Sequence, residues 1–92
     1  MTVVGADAFT EEMQAAGHSV TAWSNAPGDR YSPHAHGYKK ILCCLEGSIV
    51  FHTANGDVTL GSGERMEIDP GVEHSATVGP TGVRCAEAHI VV

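Results

Sequence analysis

The sequence is poor in basic residues and in long apolar runs, and both shortages limit what the protein can bind. Lysine and arginine together number five, against eleven acidic residues, and the formal net charge is -6. Nucleic acids and anionic membranes bind clustered basic side chains, so neither is expected as a partner. No apolar stretch approaches the ~20 residues that cross a bilayer. Because the first residues also lack the pattern of a signal peptide, we expect a cytoplasmic protein.

Cysteines are few and unsuited to a disulfide framework. There are three, an odd number, and Cys43 and Cys44 are adjacent. Such usage indicates reduced thiols. The 92 residues suit one domain, and 42% hydrophobic with 17% charged residues is typical of a globular chain rather than a disordered one.

One short helix is predicted, in the N-terminal segment of residues 1–17. Asp7 is expected to cap it and Gly17 to end it, because Asp accepts hydrogen bonds from the first turn and Gly adopts the left-handed conformation after the last. One stripe of the helix, over residues 8–16, carries Phe9, Met13 and Ala16. This stripe predicts that the helix packs against the outside of a larger body.

Residues 18–92 are predicted to form a β-barrel of short strands separated by turns. The predicted strands cover residues 18–23, 39–45, 48–53, 58–60, 65–69, 73–78 and 83–92. Glu46-Gly47 and Asn55-Gly56 are predicted hairpin turns, and residues 79–82 a further turn. Eleven glycines and the absence of long helices between the strands favour an all-β antiparallel sandwich or barrel.

Two histidines one residue apart, His34 and His36, form the most distinctive local pattern. Residues i and i+2 of a strand face the same side, so both imidazoles can bind one metal ion. His74, which follows the turn-forming Pro70-Gly71, is the candidate for a third nitrogen. Three imidazoles leave coordination positions open for water or substrate and suit Zn, Ni, Fe, Mn, Co or Cu. The alternative is that these are ordinary solvent-facing histidines.

With these motifs the chain resembles the small single-domain cupins. Their first motif, G-x5-H-x-H-x3/4-E-x6-G, is matched by Gly28, His34, His36 and Gly47. Their second, G-x5-P-x-G-x2-H-x3-N, is matched by Gly63, Gly71 and His74, with Asp69 and Val78 in place of the proline and the asparagine. The resemblance implies a double-stranded β-helix, or jelly roll, with a metal in its open mouth. It also implies a homodimer.

The main departure from the cupin pattern is Lys40, which occupies the position of the glutamate ligand. An ammonium group cannot coordinate a cation and repels one in a pocket of low dielectric constant. In the strand phase of the two histidines, Lys40 points into the barrel with Leu42 and Cys44, where its charge needs a carboxylate partner. A shift of one residue would instead turn it towards solvent.

The last predicted strand offers such a carboxylate. Cys85, Glu87 and His89 share one face and alternate with Ala86, Ala88 and Ile90. If that face is internal, Glu87 either pairs with Lys40 or replaces the lost ligand, and Cys85 and His89 lie nearby in the pocket. If the alanine face forms the core, all three are external. Tyr38 is expected either to line the pocket mouth or to cover a sheet edge.

Three functions fit this pattern. The first is a metalloenzyme of oxygenase or isomerase type that acts on a small organic molecule through the three histidines. The second is a non-enzymatic domain that binds or senses a small molecule or a metal. The third is a metal-free cupin with Lys40 in the site. The sequence identifies no catalytic acid or base.

Overall fold

The segments after Gly17 form an antiparallel β structure in which two strands are far longer than predicted. The computed structural model describes residues 4–90 of the chain. Within that range the elements are α1 (Val4–Ala15), β1 (Val20–Asn25), β2 (Arg30–His34), β3 (Lys39–Thr53), β4 (Gly56–Gly61), β5 (Arg65–Ile68) and β6 (His74–Ile90). The long strands β3 and β6 pair with each other along most of their length and form the centre of the fold.

The strands form two layers that share β3 and β6. In one layer, residues 83–88 of β6 pair with β1, and residues 40–43 of β3 pair with β5. In the other, residues 74–77 of β6 pair with β2, and residues 48–53 of β3 pair with β4. All these pairings are antiparallel. This arrangement is a jelly roll, or double-stranded β-helix, so the prediction of an all-β cupin-type barrel with a short N-terminal helix is confirmed.

The predicted hairpin at Glu46-Gly47 is wrong, because the chain bends there without reversing. Gly47 has a φ of 76° and lies at an irregularity in the pairing of β3 with β6. Such a bulge lets a strand curve while its ladder continues. Residues 79–82 were also predicted to be a turn, yet β6 runs through them, and Gly82 has a φ of 84°. Here the glycines mark bends between the layers rather than chain reversals.

Gly47 packs so closely against β6 that a side chain does not fit. A Cβ atom there would lie 2.0 Å from the carbonyl oxygen of Gly82, whereas one at Gly28 would meet nothing within 4 Å. Both glycines have a φ in the left-handed region. We therefore expect Gly47→Ala to lower the free energy of unfolding by about 2 kcal/mol more than Gly28→Ala. Urea denaturation of the two variants measures the difference, and equal losses would contradict the steric argument.

Helix α1 begins earlier than predicted and is ended by Gly17 as predicted. It starts at Val4, so Asp7 lies inside the helix and does not cap it. Gly17 has a φ of 89° and donates its N–H to the carbonyl of Gln14, and the next N–H along the chain bonds to Met13. These two bonds form a Schellman motif, which satisfies the last helical carbonyls. No helix in residues 4–90 has the length and apolar character needed to cross a bilayer.

Apolar side chains form two clusters, one inside the barrel and one beneath the helix. Phe9 and Met13 of α1 pack with Cys43 and Ala88 on the outer face of the central strands. Ala16, expected on the same stripe, is exposed. The cluster inside the barrel consists of Leu42, Cys44, Ile49, Phe51, Leu60, Ile68, Ala76, Val78, Val83 and Cys85. Adjacent residues of β3 therefore alternate between two buried environments.

The hairpin between β3 and β4 is present, but its turn lies one residue earlier than predicted. Thr53 pairs with Gly56, which leaves Ala54-Asn55 as the two-residue loop. Gly56 has a positive φ of 114°, whereas Asn55 does not have a positive φ. A type I′ turn needs positive φ at both central residues, so the predicted turn type is wrong.

Candidate metal centre

Three histidines from two segments of the chain meet at one end of the barrel. His34 is the last residue of β2 and pairs directly with His74, the first residue of β6. His36 lies just beyond β2, where the N–H of Gly71 donates a 2.8 Å hydrogen bond to its carbonyl oxygen. This bond joins the loop after β2 to the loop before β6. His36 is thereby positioned beside His74.

The three imidazoles are close enough to hold one metal ion. The ring centroids of His34 lie 4.8 Å from His36 and 4.4 Å from His74, and those of His36 and His74 lie 5.4 Å apart. One nitrogen of each ring lies within 4.8 Å of the other two. Metal–nitrogen bonds of about 2.1 Å place two nitrogens on one ion at most about 4.2 Å apart. Small side-chain rotations therefore suffice to bring all three nitrogens onto an ion.

Backbone carbonyls set the tautomer of two of these histidines. The Nδ1 of His34 bonds to the carbonyl oxygen of Ser32 at 2.7 Å, and the Nδ1 of His74 bonds to that of Val72 at 2.9 Å. A carbonyl oxygen only accepts, so Nδ1 carries the proton in both rings and Nε2 has a free lone pair. Metal-binding histidines are commonly oriented in this way by a hydrogen bond from the second ring nitrogen.

Two ring nitrogens of the cluster are buried without partners. Among the described residues, the Nε2 atoms of His36 and His74 are the buried side-chain polar atoms that have no hydrogen bond. Burial lowers the pKa of His36, and the nearby Lys40 charge lowers it further. Burial is also the main cause that lowers the pKa of His74. Both rings are therefore favoured as neutral imidazoles, the form that binds a metal.

Lys40 points into the barrel, as the strand phase predicted, and pairs with Glu87. Its ammonium lies 3.3 Å from Glu87 Oε1, and the two side chains are only 13% and 9% exposed. The adjacent Lys39 points outwards, where it contacts the exposed Glu67 at 2.7 Å. The buried cation thus has the carboxylate partner that its burial requires.

Glu87 is surrounded by donors and lies outside the group of three histidines. Besides Lys40, it accepts hydrogen bonds from Trp23 Nε1 on one oxygen and from His89 Nε2 on the other. The structure therefore shows Glu87 paired with Lys40. The alternative in which the alanine face alone forms the core is wrong, because Ala86 and Glu87 are both buried on opposite faces of β6.

A cavity of about 220 Å³ connects the histidines to the ion pair. His34, His74, Lys40 and Glu87 supply its polar wall. The remaining wall is largely aromatic and is formed by Trp23, Tyr31, Phe51 and Ala76. Trp23 and Phe51 belong to the packing inside the barrel, and their side chains also form part of this wall.

Tyr31 lines the cavity, although simple alternation of side chains along a strand does not predict this. It lies three positions before His34, so an undisturbed strand would place the two side chains on opposite faces. The pairing of β2 with β6 shifts register between these residues. That irregularity, beside Pro33, brings both side chains to the same cavity.

The other predicted pocket residues lie around the cavity rather than in its wall. Cys44 and Cys85 pair with each other across β3 and β6 inside the barrel. They lie farther along these strands from the histidines, and they therefore do not line the cavity. Burial raises the pKa of Cys85 to about 12, so its thiol stays protonated at neutral pH. Tyr38 lies at the rim, where its ring stacks between those of His36 and His89.

The chain shares its pattern with a known family over most of its length. Residues 17–89 match the model of the AraC-like ligand binding domain. No curated protein gives a significant sequence match. The matched range includes all three histidines together with Lys40 and Glu87, so the candidate site lies entirely within it.

Solved structures with the same fold include several cupins. A protein of unknown function from Rhizobium leguminosarum is 20% identical, with a TM-score of 0.77 over 100% of this chain and 95% of its own. A cupin domain from Bordetella pertussis is 26% identical, with a TM-score of 0.64 over 82% of each chain. A structure of the DMSP lyases RdDddP and RnDddQII is 22% identical, with a TM-score of 0.74 over 79% of this chain and 38% of its own. These similarities support the cupin fold.

Proposed function

Because this chain belongs to the family of AraC-like ligand-binding domains, we propose that it binds a small organic molecule at a divalent transition metal ion held by His34, His36 and His74. One observation carries the proposal. The Nε2 atoms of His36 and His74 are buried without a hydrogen-bond partner. An unpaired buried polar atom costs about 1–3 kcal/mol, and a metal ion on these nitrogens removes that cost.

The surroundings of the histidines are compatible with a cation despite Lys40. Glu87 balances the ammonium charge at 3.3 Å, which reduces its repulsion of an ion bound nearby. The alternative of a metal-free cupin leaves two of the histidine nitrogens without a partner. An ion on three imidazoles would act as a Lewis acid with open positions for the ligand.

Metal content tests this proposal. Untagged protein, incubated separately with Zn, Ni, Fe, Mn, Co and Cu ions and then desalted, is expected to retain about one ion per chain of at least one metal. That metal should also raise the melting temperature, since a ligand at 100 times its Kd stabilises by about 2.7 kcal/mol. Elemental analysis and thermal unfolding measure the two effects. No retained ion and no shift with any of the six metals would refute metal binding.

Turnover of the bound molecule is the second candidate function. His89 is 42% exposed and hydrogen-bonded to Glu87, which lines the cavity. This pair offers a proton acceptor beside the proposed ligand, as oxygenase- or isomerase-like chemistry needs. Oxygen uptake and isomerisation assays on metal-loaded protein test it, with His89→Gln as the comparison. The homodimer implied by the cupin resemblance stays a prediction, to be measured by light scattering.

A further inference from the structure

The cavity beside the histidines has a chemical character that narrows its ligand. We infer that the ligand is a small organic carboxylate with an apolar or aromatic body, whose carboxylate binds between the metal and Lys40. This inference rests on the proposed function, because the metal supplies one of the two anchors. Three features support it: the unused hydrogen-bond donors of Lys40, the balance of charge around the cavity, and the apolar character of the aromatic part of the cavity wall.

Lys40 has donor capacity that the protein leaves unused. An ammonium group carries three N–H donors. In the described part of the chain the ammonium contacts Glu87 Oε1 at 3.3 Å, and the same oxygen also accepts a hydrogen bond from Trp23. Lys40 also lines the cavity. A ligand oxygen in the cavity can therefore accept a charge-assisted hydrogen bond from Lys40 without displacing Glu87.

The charges around the cavity favour an anion. Glu87 neutralises Lys40, and the three imidazoles are neutral when they bind a metal, so the ion contributes two uncompensated positive charges. Buried charge without a counter-charge is costly. A carboxylate that contacts both the ion and Lys40 reduces this excess. A neutral ligand would leave it unchanged.

The aromatic part of the cavity wall offers apolar contact and few free polar atoms. The hydroxyl of Tyr31 donates to Asn25 Oδ1, and the indole N–H of Trp23 donates to Glu87. Both aromatic residues therefore present their rings to the cavity with their polar groups already paired. Phe51 and Ala76 complete the wall. A polyol would leave hydroxyl groups unpaired against this surface, whereas an aromatic or aliphatic body fits it.

The volume limits the size of the ligand. The cavity of about 220 Å³ is smaller than the usual ligand pocket of about 300–1,000 Å³. A single six-membered ring with one carboxylate is of this size. Benzoate is therefore a suitable probe, benzamide is its neutral counterpart of the same shape, and acetate has the carboxylate without the ring.

Calorimetry on zinc-loaded protein tests the inference. We expect benzoate to bind at least about tenfold more tightly than benzamide, since a hydrogen bond between charged groups is stronger than one to a neutral group. Acetate should bind more weakly than benzoate, because it lacks the ring that contacts the aromatic wall. Equal binding of benzoate and benzamide would overturn the carboxylate assignment, and equal binding of acetate and benzoate would overturn the aromatic one.

Two adjacent lysines provide a matched comparison. Lys40→Met should weaken benzoate binding about 10- to 100-fold and benzamide binding much less, because the neutral amide loses only a weaker hydrogen bond. Lys39→Met removes the same charge from the outer face, where it pairs with Glu67, and should change neither. If both variants lower benzoate affinity equally, net charge rather than Lys40 is responsible and the inference is wrong.

Two further variants keep the test valid if Lys40→Met folds poorly. Lys40→Arg retains the charge and should retain most of the benzoate affinity. Lys40→Met/Glu87→Gln removes both charges of the buried pair and should lose most of the benzoate affinity. Zinc content is measured on every variant. Failure of the parent protein to retain any of the six metals refutes the proposed function, whereas bound zinc without preference for benzoate refutes this inference alone.

Discussion

Replacement of His74 by alanine is expected to abolish metal binding. His74 is 2% exposed, and its ring lies within 5.4 Å of both other histidine rings, so it is the buried member of the cluster. Loss of a residue that only orients a ligand already weakens metal binding about 10- to 100-fold, so loss of a ligand itself should weaken it by at least about 100-fold. Elemental analysis and competition with a chelator measure the change.

A histidine outside the cluster provides the control for this result. His18→Ala removes an imidazole that contributes no nitrogen to the group of three, and it should leave metal content unchanged. Because His74→Ala also removes a buried ring, folding is checked by circular dichroism. His36→Ala is the second variant, since His36 is less buried. Stoichiometric metal in both cluster variants would show that these residues do not bind the ion.

Replacement of Glu87 by glutamine is expected to destabilise the fold strongly. The variant keeps the shape of the side chain but leaves the Lys40 ammonium, 13% exposed, without a counter-charge. Breaking a buried ion pair by removal of one partner costs about 3–5 kcal/mol. Trp23 and His89 would also lose the charged acceptor of their hydrogen bonds. The free energy of unfolding from urea denaturation, measured on metal-free protein, should fall by an amount in this range.

The surface ion pair provides the comparison for Glu87. Glu67→Gln breaks the contact of Lys39 with a carboxylate that is 59% exposed, and it should change stability much less. The double variant Glu87→Gln/Lys40→Met should recover part of the loss, because no unpaired charge is left inside the barrel. Equal losses in Glu87→Gln and Glu67→Gln would show that the Lys40–Glu87 pair is effectively solvated.

Residue spacing predicted the histidine cluster better than it predicted the strands that carry it. Short sequence motifs predict local geometry. The spacing of His34 and His36 and the turn before His74 are both features of local geometry. The continuity of β3 and β6 does not depend on local geometry alone. A glycine that ends a strand and a glycine that bends one cannot be distinguished in the sequence. Gly47 is a bend only because β6 bends beside it.

The orientation of Glu87 could not be predicted from the residue pattern of its strand, because helix α1 buries the outer face of that strand. A strand with one buried face shows clear alternation of polar and apolar residues. Here the outer face of β6 packs against α1 through Ala86 and Ala88, while Glu87 faces the cavity on the inner side. Because both faces are buried, the sequence of β6 does not show which face lines the cavity. The outer face of β6 is buried because α1 packs on it, and this contact between distant parts of the chain is not visible in the sequence of β6.

The pairing of β3 with β6 also determines when the histidine cluster can form during folding. The two strands join residues 39–53 to residues 74–90, and closing a long loop has an entropic cost that precedes the gain from contacts. His74 lies at the start of β6 and meets the other two histidines only when β2 adds to that strand. The nascent chain therefore carries the His-x-His motif without the site. Metal binding is therefore expected late in folding, after the barrel has closed.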